Sequence, residues 1–271
     1  MKDTENNNSH IPLDHPRFQS LTDRHKIIEG MKNLVVAEAG LIAHGRGECF
    51  DYILGEQTTS IAKRAIEAAV AMLLSAKHPI ISVNGNVAAL IPEGIVNLSN
   101  ILNAPLEINL FYRKEGRIEA IKSALQQAGA TKLLGLDEAK MVHIPELSSN
   151  RRNVDPEGIY KADVIFVPLE DGDRTEALKR LGKKVVTIDL NPISRTALWA
   201  DITIVDNLIR AVPEMIQVAK KLKQELKEKL NNIIAHFDNK QNIRDSLDLI
   251  AKYIEHQKKD AFKILSEENS K

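Results

Sequence analysis

The clearest evidence for the fold class lies in residues 162–192, which read ADVIFVPLEDGDRTEALKRLGKKVVTIDLNP. The apolar run over 162–167 predicts a buried strand. A helix over about 173–181 follows and stops at Gly182, before a second apolar run over 184–188. A strand, a helix and a strand in immediate succession are typical of a unit of parallel sheet.

The same alternation extends in both directions from this unit. Further strands are predicted at 79–83, 106–111, 132–134 and 201–205. Helical patterns separate them, and Thr58-Thr59-Ser60 offers N-caps for an Ala-rich helix that reaches about Lys77. The pattern predicts an α/β fold that is Rossmann-like, with a mostly parallel sheet and helices on both faces.

Three regions are expected along the chain. Residues 1–14 are polar and lack apolar anchors, which predicts a flexible N-terminal tail. Residues 15–217 contain the alternating strands and helices, and the first helix is expected to begin near Pro16. Residues 218–271 predict a C-terminal helical extension, because long helical patterns cover 208–236 and 243–265. This extension is either an exposed helical pair or a dimerisation arm.

Composition and motif content exclude several classes of protein. Lys plus Arg and Asp plus Glu both number 37, so a formal charge of zero gives no bulk attraction to nucleic acid or a membrane surface. No apolar run approaches the roughly 18 residues that span a bilayer. The single cysteine, Cys49, forms no intrachain disulfide, and neither an HExxH nor a GxSxG motif is present. A cytoplasmic location is the simplest expectation.

Polar residues follow the predicted strands at the points where the strands end. The carboxyl ends of parallel strands meet at one edge of the sheet, where ligands bind. These residues are Asn84-Gly85-Asn86, Arg113, Glu170-Asp171-Gly172-Asp173, Asp189-Leu190-Asn191 and Asp206-Asn207. Each segment alone is also typical of a turn or an N-cap. Five in series favour a ligand site.

Some of these residues have the chemistry of nucleotide binding. Asp189 at a strand end can accept hydrogen bonds from ribose hydroxyls, and Arg195-Thr196 offers a guanidinium for phosphate beside a hydroxyl. In the segment His44-Gly45-Arg46-Gly47-Glu48, an arginine between two glycines predicts a tight turn or an anion-binding loop. Asp171 and Asp173 are candidates either for Mg²⁺ or for helix capping.

Seven segments occur in one order and are together more specific than any single motif. They read HPR at 15–17, AGLIAHGRGE at 39–48, FDY at 50–52, SVNGNVAAL at 82–90, NLFYR at 109–113, VPLEDGDR at 167–174 and IDLNPISRT at 188–196. Over about residues 11–217 the chain resembles the archaeal phosphopantothenate synthetases, also called 4-phosphopantoate–β-alanine ligases.

The resemblance implies a homodimeric, nucleotide-binding catalytic protein of coenzyme A biosynthesis. Such an enzyme joins the carboxylate of 4-phosphopantoate to the amine of β-alanine through an acyl-adenylate. It uses ATP as a substrate, expected with Mg²⁺, and releases AMP and pyrophosphate. The ATP-binding positions that the resemblance implies are Arg24, Arg46, Asp189, Leu190, Asn191, Arg195, Thr196 and Asn207.

The other substrates are given their own candidate residues. We assign 4-phosphopantoate to Asn84, Asn86 and Arg113, although turn formation explains the two asparagines nearly as well. The ammonium group of β-alanine is assigned to Glu170 or Asp171. Catalytic residues and metal ligands are left unassigned, and neither nucleic acid nor membrane is expected as a partner.

Two other functions compete with the ligase. A nucleotide-binding regulatory protein would keep the fold without turnover. A dinucleotide-dependent oxidoreductase is disfavoured because a GxGxxG motif between a strand and a helix is missing. The ligase hypothesis requires Arg24, Arg46 and Arg195, which are distant in sequence, to gather at one rim of the fold.

Overall fold

A computed structural model describes residues 11–15, 17–145, 147, 149–169 and 171–268. Three expectations fall outside these residues: most of the tail over 1–14, the helix start at Pro16, and the assignment of Glu170. None of the described helices is long and apolar enough to cross a membrane.

In the described part of the chain, α-helices precede the first strand and follow the last one, and helices and strands intermix between them. The helices are α1 (Phe18–Lys32), α2 (Glu38–Leu54), α3 (Ser60–Ser75), α4 (Gly85–Leu90), α5 (Pro92–Leu102), α6 (Arg117–Gln127), α7 (Gly172–Arg180), α8 (Arg195–Trp199), α9 (Leu208–Leu222), α10 (Lys227–Ala235) and α11 (Asn239–Glu268). The strands are β1 (Pro79–Val83), β2 (Leu106–Ile108), β3 (Leu133–Leu134), β4 (Val142–His143), β5 (Asn153–Val154), β6 (Val164–Phe166), β7 (Lys184–Ile188) and β8 (Ile202–Ile204).

Six of these strands form one parallel sheet, which confirms the predicted α/β fold. Their order is β3-β2-β1-β6-β7-β8, while β4 and β5 form a separate antiparallel pair. Successive residues of the sheet pack into different cores. Ile80 and Ile165 belong to the core on one face, and Ile81 and Phe166 belong to the core on the other. Both faces are therefore covered, which explains the uninterrupted apolar runs in the sequence.

The order of strands reverses beside β1. From β1 the chain continues to β2 and β3 on one side of the sheet, and it later returns to β6, β7 and β8 on the other. The loops that leave β1 and β6 therefore diverge. In open α/β sheets a crevice forms at such a switch point, beyond the carboxyl ends of the strands.

The segment His44–Glu48 is helical, so the predicted turn or anion-binding loop is wrong. It lies inside α2, where the backbone amides take part in the helix. Two glycines each cost a helix about 1 kcal/mol relative to alanine. Tertiary contacts of the same helix offset this cost, because Leu54 and Phe50 pack in a cluster with Leu190.

The helical pattern over 208–236 is two helices and not one. The chain leaves α9 after Leu222, and α10 turns back to pack against α3 with Leu230 buried. Periodicity alone does not reveal such a reversal, because residues 220–229 are rich in Lys and Glu on either side of it. The expected boundary between residues 217 and 218 falls inside α9, and the division into domains stays a prediction.

Over its first half, α11 packs against β8 and the helices α2, α3 and α8. Ile250 of α11 lies in a cluster with Leu54 and Leu190, and Asn242 donates through Nδ2 to the Thr203 carbonyl at 2.8 Å. Asn239 Nδ2 donates to the carbonyls of Ala197 and Ala200. This part of the C-terminal extension therefore supports the loops after β7 and β8.

Candidate functional site

A cavity of about 860 Å³ opens at the carboxyl edge of the sheet. Its size is that of a small-molecule site. The loops after β1, β2, β6, β7 and β8 border it together with α2. Ten predicted site residues line it: Arg46, Asn84, Asn86, Asp171, Asp189, Leu190, Asn191, Arg195, Thr196 and Asn207. Arg24 and Arg113 are not among the lining residues.

The loop after β7 is built around the Asp189 carboxylate. Asn191 donates its backbone N–H to Asp189 Oδ1 at 2.9 Å, and the Ser194 hydroxyl donates to Oδ2. Burial raises the pKa of Asp189, while these hydrogen bonds and the charge of Arg46 act in the opposite direction. An ionised carboxylate has about four acceptor positions, so Asp189 keeps capacity for ligand hydroxyls.

Asn191 both forms a turn and lines the cavity, so it combines the two roles that the sequence left open. Its Oδ1 accepts a hydrogen bond from the Ile193 N–H at 3.0 Å, which forms the predicted turn before α8. The same residue lines the cavity. The turn places Asn191 beside Asp189 on the cavity wall.

Arg46 and Arg195 bring positive charge to the cavity from different elements. Arg46 extends from α2, is exposed, and lies close enough to Asp189 to lower its pKa. Arg195 begins α8, and its Nη2 pairs with Glu176 Oε2 at 2.6 Å. A Cβ on Gly172 would lie 2.2 Å from the Cβ of Arg195. The absence of a side chain at Gly172 thus lets the loops after β6 and β7 meet.

A buried network of charges joins the start of α9 to α2. Arg210 Nη2 pairs with Asp51 Oδ1 at 2.6 Å and with Asp206 Oδ1 at 2.7 Å. Asn207 donates through Nδ2 to Asp51 Oδ2 at 2.8 Å, and its Oδ1 caps the Ile209 N–H. Burial raises the pKa of Asp206, whereas Arg210 and Thr58 lower it. Asn207 is therefore held firmly where it borders the cavity.

Asn84 joins the two loops that diverge at the switch point. Its Oδ1 caps α4 by accepting the Val87 N–H at 3.1 Å. Its Nδ2 donates to the carbonyls of Pro168 and Leu169, at 3.2 and 3.0 Å. Asn84 therefore acts as the N-cap of α4, which is the alternative to a ligand-binding role that the sequence left open. Asn86 donates to the Gly40 carbonyl at 2.9 Å and ties α4 to α2.

Arg24 lies one ion pair away from the cavity. Its Nε donates to both carboxylate oxygens of Glu48, at 2.9 and 3.0 Å, and Glu48 lines the cavity. His44 lines the cavity one helical turn before Glu48. Burial lowers the pKa of His44, although Glu48 and Asp23 act in the opposite direction.

Arg113 faces the segment before β4 and not the cavity. Its Nε pairs with Glu138 Oε1 at 2.8 Å, and its Nη2 donates to the Gly135 carbonyl at 3.0 Å. The side chain is 7% exposed. Arg113 therefore links the loop after β2 to the segment between β3 and β4 that contains Gly135 and Glu138.

The sequence did not point to several charged residues of the lining, among them Asp51, Arg117, Arg151 and Arg210. Arg117 and Arg210 belong to helices, and Arg151 lies in a segment without a strong pattern. Asp51 lies in the FDY segment, one of the seven segments that carry the resemblance to the family. A charged residue that is buried by distant parts of the chain leaves no local sequence pattern. Only the FDY segment therefore offered a signal that could have assigned one of these residues, Asp51, to the site.

The described residues contain no group of three or more His, Cys, Asp or Glu side chains that could hold a metal ion. Asp171, with its side chain 45% exposed, is a carboxylate on the cavity wall that pairs with Arg151. Mg²⁺ bound with a nucleotide needs few protein ligands, because phosphate oxygens and water fill most of its six positions. The donor set fits an ion that arrives with a triphosphate.

Comparison with known proteins agrees with the resemblance found in the sequence. A family model described as phosphopantothenate/pantothenate synthetase matches residues 61–253. A protein from Thermococcus kodakarensis named 4-phosphopantoate–beta-alanine ligase is 55% identical over 238 residues, which are 88% of this chain and 90% of the relative. A relative with the same name from Methanosarcina mazei is 48% identical over 244 residues, 90% of this chain and 95% of that protein.

A third relative of that name, from Methanospirillum hungatei, is 43% identical over 240 residues, 89% of this chain and 96% of its own length. All three sources are archaea. The match to the family model covers well over half of the chain, and the relatives extend it to about nine-tenths. The chain therefore belongs to the phosphopantothenate/pantothenate synthetase family.

Proposed function

We propose that this protein is a ligase of coenzyme A biosynthesis that condenses 4-phosphopantoate with β-alanine at the expense of ATP. The proposal depends on one observation: nearly all of the residues that the family resemblance implies for ATP binding lie together in one cavity of this protein. The relatives have this activity as their name, and seven of the eight expected ATP-binding residues line one cavity.

The reaction needs an activated carboxylate, because a carboxylate oxygen is a poor leaving group. A carboxylate oxygen of 4-phosphopantoate attacks the α-phosphorus of ATP, and pyrophosphate leaves. The β-alanine nitrogen, having lost a proton, then attacks the acyl carbon of the adenylate. The acyl C–O bond breaks, and AMP leaves with the electron pair. Positioning and charge stabilisation supply most of the catalysis in such a scheme.

The nucleotide is proposed to lie along the loops after β7 and β8. Asp189 accepts hydrogen bonds from the ribose, and Arg46 and Arg195 contact the phosphates. Leu190 and Leu208 also line the cavity, and Mg²⁺ enters with the triphosphate. The nucleotide side of the cavity also includes Asn191, Thr196 and Asn207. Arg24 stays a candidate, because its partner Glu48 lines the cavity.

The acid and the amine are proposed to occupy the side near the switch point. Asn86 and Asp171 line it and remain candidates for 4-phosphopantoate and for the ammonium group. Glu170 stays an alternative to Asp171. Asn84 and Arg113 are engaged in the internal bonds described above, so we propose that they shape this side without touching the substrate. The enzyme is proposed to act as a homodimer.

The direct test is a reaction with purified protein, ATP, Mg²⁺, 4-phosphopantoate and β-alanine. We expect AMP, pyrophosphate and 4′-phosphopantothenate in equal amounts, and no 4′-phosphopantothenate when β-alanine is omitted. The complete mixture yielding no AMP would contradict the proposal. Tight binding of ATP without turnover would instead favour a nucleotide-binding regulatory protein.

A further inference from the structure

The cations on the cavity wall are all arginines among the residues that the structure describes. They are Arg46, Arg117, Arg151, Arg195 and Arg210. The proposed reaction brings two separate phosphate-bearing groups into this cavity, the triphosphate of ATP and the phosphate ester of 4-phosphopantoate. Each needs its own cationic partner, because a phosphate that leaves water is stabilised by charged donors.

Two of the five arginines are committed to the fold. Arg117 donates to three backbone carbonyls, those of Leu34, Val35 and Tyr112. Arg210 is neutralised by two buried carboxylates. These guanidinium groups hold the walls of the cavity in place, and their removal would disturb the fold before it changed a substrate contact.

The remaining three arginines lie on two sides of the loop formed by Asp171 and Gly172. Arg195 packs against Gly172, and Arg46 lies near Asp189, so both belong to the nucleotide side. Arg151 pairs with Asp171, its Nε lying 3.2 Å from Oδ2. It therefore stands at the switch-point side, where the acid substrate is expected.

The position of Arg151 is built by a set of fixed backbone contacts. Asn109, at the end of β2, donates through Nδ2 to the carbonyls of Arg151 and Asn153, at 3.4 and 2.9 Å. Asn150 donates to the Phe111 carbonyl at 3.2 Å. The Arg151 side chain is 7% exposed. A charged group held in this way is preorganised, so binding a ligand costs little ordering.

We propose that Arg151 binds the phosphate ester of 4-phosphopantoate and gives the enzyme its preference for the phosphorylated acid. This inference rests on the proposed function. Arg151 itself lines the cavity, beside the half-exposed Asp171 carboxylate that shares its guanidinium, so the guanidinium borders the space that the substrate anion would occupy. A phosphate dianion accepts two parallel N–H donors from one guanidinium, which a lysine ammonium does not reproduce.

The experiment compares Arg151→Ala and Arg151→Lys with the wild type, using 4-phosphopantoate and unphosphorylated pantoate as competing acids. We expect the KM for 4-phosphopantoate to rise roughly 10²-fold in Arg151→Ala and less in Arg151→Lys. The KM for ATP should change less than about twofold, and kcat/KM should fall far more for 4-phosphopantoate than for pantoate. The control is Arg152→Ala, which removes the exposed neighbouring arginine and should leave all constants as they are.

The outcomes separate this inference from the proposed function. Equal losses for the phosphorylated and unphosphorylated acids, or an unchanged KM for 4-phosphopantoate, would overturn the role of Arg151 while the ligase remains. A wild type that forms no AMP would overturn the function itself. If Arg151→Ala does not fold, the better-tolerated Arg151→Lys decides: it must lower the preference for 4-phosphopantoate over pantoate.

Discussion

The chemistry available to Arg46 depends on its place in α2 rather than on the flanking glycines. From this helix the guanidinium lies close enough to Asp189 to act on its pKa, and it lines the same cavity as Arg195. Among the described residues, a Cβ on Gly45 would meet no atom within 4 Å, and a Cβ on Gly47 would meet only a Leu190 methyl at 3.5 Å. The glycines therefore leave room beside Arg46 on the cavity wall, and they do not form the loop that the sequence suggested.

Removing the Arg46 guanidinium should impair catalysis and spare the fold. We expect Arg46→Ala to lower kcat/KM for ATP roughly 10²-fold or more, because a charged phosphate contact is lost. Steady-state AMP formation measures this, and thermal unfolding reports on the fold. The control is Arg244→Ala, on the exposed surface of α11. Unchanged kinetics in Arg46→Ala would remove this residue from the nucleotide site.

At the scale of elements, α9 is joined to α2 by the buried group of Asp51, Asp206 and Arg210. The Asp51 and Asp206 side chains are 7% and 0% exposed. Removing the shared cation leaves two buried carboxylates without compensation. Breaking such a buried pair typically costs about 3 to 5 kcal/mol, so this contact matters more for the geometry of the site than a surface ion pair does.

We expect Arg210→Ala to lower the free energy of unfolding by about 3 to 5 kcal/mol at neutral pH. Burial already raises the pKa of Asp206, and loss of Arg210 raises it further. A raised folded-state pKa gives stability that is lost as pH rises. The difference in free energy of unfolding between the wild type and Arg210→Ala should therefore be larger at pH 7.5 than at pH 5, as measured by urea unfolding.

The matched control for this experiment is another Arg–Asp pair between helices. Arg64 Nη2 lies 2.8 Å from Asp245 Oδ2 and joins α3 to α11, but the side chains are 59% and 31% exposed. Arg64→Ala should cost no more than about 1 kcal/mol. If Arg210→Ala and Arg64→Ala lose the same free energy of unfolding, burial of Asp51 and Asp206 adds nothing to the stability that their ion pairs provide.

At the scale of the whole molecule, Glu107 connects the sheet to the segment that carries Arg151. This residue of β2 is fully buried. Its oxygens accept the backbone N–H groups of Asp155 and Ile159, at 3.1 and 2.6 Å. Burial raises the pKa of Glu107 to about 7, although both hydrogen bonds and the charge of Arg174 lower it.

This shift predicts a dependence of stability on pH. The folded-state pKa of about 7 lies above the ordinary value of 4.5, so the stabilising contribution is complete below pH 4.5 and is lost as pH rises through 7. Glu107→Gln does not titrate. The free energy of unfolding of the wild type, minus that of Glu107→Gln, should therefore fall by more than about 1 kcal/mol between pH 4.5 and 7.5.

Denaturant unfolding of both proteins at several pH values measures this difference, and other titrating groups cancel in it. A constant destabilisation of Glu107→Gln is expected as well, because an amide group replaces one acceptor of a backbone N–H. That constant offset does not affect the test. A difference that is the same at every pH would contradict the raised pKa of Glu107.

The sequence by itself determined the α/β class, the strands of the sheet and the polar residues at the strand ends. These features are local: apolar runs mark buried strands, and Gly, Asn, Asp and Pro mark the turns after them. The ordered segments also identified the family. The Asp189 loop was predictable for the same reason, because its contacts with Asn191 and Ser194 join residues close in the chain.

Only the tertiary structure decided which side chains share the cavity and which ones hold it together. It placed the Gly45-Arg46-Gly47 segment in a helix, turned Arg113 away and made Asn84 a connection between two loops. It also brought Asp51 to Arg210 and Arg151 to Asp171. These contacts join residues distant in the chain, and their energies depend on burial, which local periodicity does not record.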